Sequence, residues 1–157
     1  MINVRQADRS DAELLSQLNR FVQELHFTRM PQRFKPPETG AIAEWFRSMM
    51  ENPAARAWIA EAEGAAVGYI IAVTHDRPET PFCFRRVYCE IDQIAVSPEF
   101  RKEGVAKALV ERVLAEARSS GIQDIELNSW SFNTEAHDAF AALGFIPQIV
   151  RFNRTSL

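Results

Sequence analysis

Of the 157 residues, two are cysteines, three are histidines and six are glycines. Each scarcity removes a class of function. Cys83 and Cys89 are too few for a disulfide scaffold, and without a matching Cys or His cluster they do not read as a metal site; two idle or buried thiols and no metal are expected. The sparse glycines form no G-x-G-x-x-G, which removes a dinucleotide site, and no Gly-Lys-Ser/Thr follows the basic turn near residue 104, which removes a nucleotide-hydrolysing loop. No apolar run is long enough to span a bilayer. The opening MINVRQADRSDAELL carries acids early and no apolar stretch, so neither a signal peptide nor a membrane is expected and the location reads as cytoplasmic. Basic excess is also missing: the formal charge of −3 does not support a nucleic-acid partner and is weakly compatible with a cationic amine substrate. What is present is apolar material. With 46% hydrophobic residues the chain can bury one substantial core, so residues 1–157 are expected to form a single domain.

Residues 2–7 alternate as a strand, and Ser10 and Glu13 have the spacing of a capping box. Leu14, Leu15, Leu18, Val22 and Leu25 then recur at helical spacing to about His26, before Pro31, Pro36 and Pro37 interrupt. Ile42, Trp45, Phe46 and Met49 mark a second helix that stops at Asn52-Pro53. Residues 57–62 and 66–73 read as a hairpin turning at Glu63-Gly64. Residues 75–86, with Pro78 and Pro81, read as a mobile loop, followed by a strand over 87–96. Val105, Leu109, Val110, Val113, Leu114 and Ala117 share one face of a helix ending at Gly121. Strands are expected at 122–128 and 146–152.

Residues 91–110, IDQIAVSPEFRKEGVAKALV, have the layout of an anion site: an apolar strand, a basic glycine-containing turn, and the start of an amphipathic helix whose free N–H groups and dipole favour negative charge. Arg101, Lys102, Glu103, Gly104, Val105 and Ala106 read R-x-x-G-x-A, which resembles the acyl-CoA signature of the GNAT superfamily of N-acetyltransferases. Downstream, NTEAHDAFAALGF (residues 133–145) resembles that family's ending: Asn133, Ala136, Gly144 and Phe145 match, and Phe140 stands where tyrosine is usual. The two blocks in order cover roughly the C-terminal half of the chain.

The resemblance implies an α+β fold, a mainly antiparallel twisted sheet flanked by helices, in which the strands at 87–96 and 122–128 splay to leave a cleft for acetyl-CoA as cosubstrate. It also implies that main-chain groups of Ile94, Ala95 and Val96 pair with the pantetheine amides, that the 101–106 turn holds the diphosphate, and that Asn133 bonds the pantetheine arm. The place of Phe140 is that of the acid beside the departing sulfur, but phenylalanine has no proton to give. By their residue types alone, Asn133 also serves as a helix cap, Phe140 as an aromatic core residue, and Arg101 and Lys102 as solvated turn charges.

Acetyl transfer needs a neutral amine, yet a lysine-type amine has a pKa of roughly 10.4 and an α-amine roughly 8, so a proton acceptor is useful. Glu90 and Asp92, two apart on one strand, are expected to share a face. Glu90 lies six before Val96, where the histone-acetyltransferase branch of the family carries its glutamate base. Equally, both acids read as strand-end carboxylates, solvated or paired with Arg85, Arg86 or Arg101. His137 has the chemistry of a base but falls among polar helix positions. For the acceptor, a small-molecule or peptide amine, His26, Phe27, Arg29, Arg33, Phe34, Trp45 and Phe82 are candidates by position. Homodimerisation is left open. Direct attack of the amine in a ternary complex is the leading reading, since no cysteine is placed as a nucleophile. An acyl-CoA-binding module without turnover, suggested by Phe140, is the alternative.

Overall fold

The computed structural model describes residues 1–156. Its strands are β1 (Asn3–Gln6), β2 (Ala55–Ala62), β3 (Ala65–Arg77), β4 (Arg86–Val96) and β5 (Asp124–Leu127), and its helices are α1 (Ala12–Arg29), α2 (Thr39–Met49), α3 (Val105–Ser119) and α4 (Thr134–Ala142). The strands form one sheet in chain order. β1 to β4 are antiparallel neighbours, while β4 and β5 run parallel. This is the mixed, mainly antiparallel sheet flanked by helices that the family resemblance implied.

Alternation along the strands divides the core. Trp58, Ala60, Val67, Ile70 and Ile91 pack with Val105, Leu109, Val110 and Val113 of α3 on one face. Ala57, Ile59, Tyr69, Ile71 and Ala95 pack with Leu15 and Leu18 of α1 and Phe46 of α2 on the other. Neighbouring β2 and β3 residues thus serve opposite layers, and β2 is buried along most of its length while β3 is buried from Val67 to Ala72.

Close packing of β3 against the β4 backbone and α3 requires a glycine. A Cβ at Gly68 would lie 2.7 Å from the Ala95 carbonyl oxygen and 3.2 Å from Val105 Cγ1. Gly68→Ala is therefore expected to cost about 1–3 kcal/mol of stability by overpacking, read as a lower denaturation midpoint; an unchanged midpoint would contradict this packing.

Four expectations are corrected. The capping box uses Asp8 and Asp11 instead of Ser10 and Glu13: Asp8 Oδ1 accepts from Ser10 N at 2.8 Å and Asp11 Oδ2 from Asp8 N at 2.9 Å. Arg5 holds both oxygens of Asp11, at 2.8 and 2.9 Å, and keeps its carboxyl below the usual range. α1 continues past His26 to Arg29 because the first proline comes only at Pro31. β3 continues through His75 to Arg77, paired with β4 as far as Arg86, so the first residues of the expected loop are strand. Finally, residues 146–152 form no strand. Ile146, Ile149, Val150 and Phe152 are each more than 70% exposed, and strand propensity without a ladder partner does not make a strand. Pro147 removes a donor as well.

Candidate functional site

Two irregularities in β4 shape the site. Ile71 pairs with Gln93 and Ala72 with Ile91, leaving Asp92 unpaired in a bulge. Beyond it the faces shift by one: Ile91 and Ile94, three apart, both pack toward α3. Gln93 takes the place of Asp92 on the inner α1 face, where its Oε1 accepts from the Tyr69 hydroxyl at 2.7 Å and that hydroxyl accepts from Asn19 Nδ2 at 2.8 Å. Burial raises the Tyr69 pKa, so it stays a phenol and can donate. Simple alternation, which made Glu90 and Asp92 equivalent, therefore fails at this point.

The second irregularity is a parting of strands. β5 pairs with β4 only from Tyr88↔Asp124 to Ile91↔Leu127. Past the Asp92 bulge β4 runs on through residues 93–96 still paired to β3, and its other edge has no strand partner among the described residues. This free edge includes Ile94, Ala95 and Val96, the residues whose main chain the family resemblance aligns with pantetheine. Ile94 and Val96 are half-buried toward α3 and Ala95 is buried toward α1, so what they can offer an extended ligand is main-chain donors and acceptors.

β4 leads through Ser97 into the basic turn. Gly104 begins α3 at φ +87°, and Lys102 is also left-handed at φ +65°. The first helical bond runs from Ala108 N to Gly104 O, leaving the N–H groups of Val105, Ala106 and Lys107 without intrahelical partners. A Cβ on Gly104 would meet only Ile2 Cδ1, at 4.0 Å, so the space above the turn is open. Arg101, Lys102 and Glu103 are exposed and Ala106 is half-buried. Arg101 approaches Glu135 at the start of α4 at 3.6 Å. The Val105 side chain is core, and the exposed carboxylate of Glu103 has the wrong sign for a phosphate; both can contribute only backbone. The turn fits a diphosphate through its glycine, its free N–H groups and its two cations.

Glu90 lies where β5 leaves β4. None of the arginines weighed as its partner is available: Arg85 pairs with Asp76, Arg86 with Asp124 and Glu126, and Arg101 with Glu135. Instead Glu90 Oε1 accepts from Asn128 Nδ2 at 3.3 Å, and Oε2 lies 2.8 Å from His75 Nε2. The approach is close but off the axis of the ring N–H, and that nitrogen has no aligned hydrogen-bond partner. His75 stacks on Tyr88 with centroids 4.9 Å apart. Neither His75 nor Asn128 was singled out by the sequence.

Asp92 is exposed, yet the protein around its carboxyl raises its pKa by desolvation; the Glu90 charge adds to this and His75 opposes it. A carboxyl with a raised folded-state pKa binds its proton more tightly folded than unfolded, so stability falls as pH rises through that range. Asp92→Asn is therefore expected to raise Tm near neutral pH, with the gain fading below about pH 3. Equal gains at both pH values would contradict it.

The linker after β5 also reaches α1. His26 stacks on Phe34 at 4.9 Å, Phe34 meets the Trp130 edge at 5.5 Å, and Trp130 stacks with Phe132. Arg33 covers Trp130 at 4.7 Å, and burial lowers the pKa of His26. Three acceptor-side candidates, His26, Arg33 and Phe34, thus come together. Trp45 lines a separate cleft with Asn19, Gln23, Ile42, Phe46 and Gln93, and Phe82 is 93% exposed. Asn133 begins α4 without a side-chain cap bond, so its amide is free of the capping role considered for it. Phe140 is half-buried, edge-to-face with Phe145, and belongs to neither buried core cluster. His137 is exposed.

Comparison with known proteins gives this geometry a context. N-acetyltransferase 8 of Homo sapiens is 32% identical over 88 residues, 56% of this chain and 37% of that protein. The matched segment is therefore about a third of the relative's length. The BH1408 protein of Bacillus halodurans, in tetramutant form, superposes with a TM-score of 0.92 at 18% identity, covering 98% of this chain and 99% of its own. An aminoglycoside N-acetyltransferase solved with CoA superposes at 0.77 with 22% identity, covering 100% and 96%; at these identities the likeness is one of fold. The model of the acetyltransferase (GNAT) family matches residues 19–145, most of the chain, and the chain belongs to that family.

Proposed function

We propose that the protein transfers an acetyl group from acetyl-CoA to an amine by direct attack in a ternary complex. The observation that carries this reading is the free β4 edge at residues 92–96, which runs into a helix begun by Gly104 and has Glu90 at the point where β5 diverges. In this reading the main chain at Ile94, Ala95 and Val96 aligns the pantetheine arm. The free N–H groups of Val105 and Ala106, with Arg101 and Lys102, hold the diphosphate, and the uncommitted Asn133 amide bonds the arm.

Glu90 takes the proton of the attacking amine. The new C–N bond forms as the C–S bond breaks, and the CoA sulfur leaves as a thiolate. With an ordinary thiol pKa of roughly 8.5 it departs tolerably near neutral pH, so a phenylalanine at position 140 slows the step without preventing it. Neither cysteine suits a covalent route. Cys83 is exposed in the loop after β3, and Cys89 is buried, its thiol pushed up by burial and then by the Glu90 charge. Asp92 is the second carboxylate, and its place in the bulge, outside the His75 and Asn128 contacts, favours Glu90 as the base.

Acetyl-CoA-dependent release of free thiol, measured across amino acids, polyamines, aminoglycosides and peptide amines, tests the reading. Thiol release that depends on one amine class supports it. Saturable CoA binding with no release for any class would favour the binding module instead.

A further inference from the structure

We propose that His75 is the positioning residue for Glu90: it fixes one carboxylate oxygen from β3 so that the other is presented to the acceptor amine at the β4–β5 divergence. The proposal rests on Glu90 being the base. It is carried by the way the two oxygens are divided. Oε2 lies against His75 Nε2 at 2.8 Å, and Oε1 faces Asn128 at 3.3 Å, immediately past the end of β5.

His75 is itself held. Its ring stacks on Tyr88, whose hydroxyl accepts from Arg77 Nε at 3.0 Å and whose ring lies under Arg86 at 4.3 Å. The pairing of Arg85 with Asp76, and of Arg86 with Asp124 and Glu126, keeps guanidinium groups off Glu90. A forked guanidinium would occupy both oxygens, whereas the imidazole edge, 2.8 Å from Oε2 with its N–H off the axis, sits against one and leaves a lone pair free on the other. The long Asn128 contact is the weaker of the two, so the amine can take that side.

The balance is simple. A proton leaves the amine nitrogen as it attacks and arrives on Glu90 Oε1, while the His75 ring edge stays against Oε2 and keeps the carboxylate plane in place.

His75→Phe keeps a ring to stack on Tyr88 but removes the N–H. With acetyl-CoA and kanamycin, spermidine or a lysine-containing peptide as acceptor, kcat is expected to fall on the order of 10- to 100-fold with the KM for acetyl-CoA unchanged. His75→Gln, which retains an N–H donor, should recover most of the loss. In a Glu90→Gln background His75→Phe should add less than about twofold, because residues acting as one unit are not additive. A readout independent of any acceptor is the 15N spectrum of the histidine rings in the free protein. The His75 Nε2 signal should move on Glu90→Gln.

A His75→Phe variant of parental activity beside an inactive Glu90→Gln overturns the positioning role and leaves the base standing. An equal loss from His75→Phe in both backgrounds, or a His75 signal indifferent to Glu90→Gln, also overturns it. Parental turnover in Glu90→Gln removes the base itself, and the proposal falls with it.

Discussion

Glu90→Gln is expected to lower turnover by about 10²- to 10⁴-fold near neutral pH, the usual worth of a positioned proton acceptor. Part of the loss should return at alkaline pH, where more of the amine is already neutral, while acetyl-CoA affinity barely changes. The size of this effect follows from the site. No arginine pairs with Glu90, so its carboxylate is not already spent in a guanidinium bridge. His75 and Asn128 flank it one residue before the last β4–β5 pair, Ile91↔Leu127, beyond which β4 keeps only β3. Glutamine keeps the shape and the acceptor oxygen but cannot take up the proton. Asp92→Asn is the comparison, since Asp92 lies in the adjacent bulge and has no place in the clamp; its turnover should stay near the parent's. A pH–rate profile of Glu90→Gln that overlays the parent would remove Glu90 from the mechanism.

Gly104→Val should weaken CoA binding by about 10- to 100-fold, the equivalent of losing one hydrogen bond to a charged phosphate at roughly 1.5–3 kcal/mol. Two causes act together. A branched residue at φ +87° is strained, so the turn relaxes and the N–H groups of Val105 and Ala106 lose their common direction. The new side chain also enters the open space above the turn, where its nearest neighbour in the fold is Ile2 Cδ1 at 4.0 Å. That distance means the substitution meets little of the protein itself, so the variant should fold. Calorimetric titration with CoA, alongside a thermal melt, separates binding from stability. Unchanged affinity in a folded variant would refute the diphosphate assignment.

Much of the fold was readable from periodicity. β2 and the buried part of β3 were recovered because Ala, Ile and Val alternate between two layers, and α3 because Val105, Leu109, Val110 and Val113 lie on one stripe. The glycine turn was legible because a glycine directly before a helix, with cations beside it, combines a left-handed backbone position with the charge and free N–H groups that suit an anion. What escaped was set by tertiary pairing. His75, Asp76 and Arg77 are polar enough to read as loop, yet they are strand because β4 offers Tyr88, Val87 and Arg86 as partners. The length of the 87–96 strand was the available clue, since hairpin strands match. The bulge had a clue too: Asp92 and Gln93 place two polar residues between Ile91 and Ile94, which strict alternation forbids. Residues 146–152 carry the apolar content of a strand, but whether such a segment pairs depends on a neighbouring edge that composition does not encode. The capping box was ambiguous because Asp8–Asp11 and Ser10–Glu13 share the same spacing, and Arg5, brought in by β1, decides between them.

The most direct test of the central claim, that the β4 edge, the Gly104 turn and Glu90 form one acetyl-transfer site, is amine-dependent thiol release from acetyl-CoA by the parent, Gly104→Val and Glu90→Gln proteins side by side. The account predicts release by the parent, a raised acetyl-CoA KM for Gly104→Val, and a lowered kcat with unchanged acetyl-CoA KM for Glu90→Gln. Parental kinetics in both folded variants, or CoA binding by the parent without thiol release for any amine class, would contradict it.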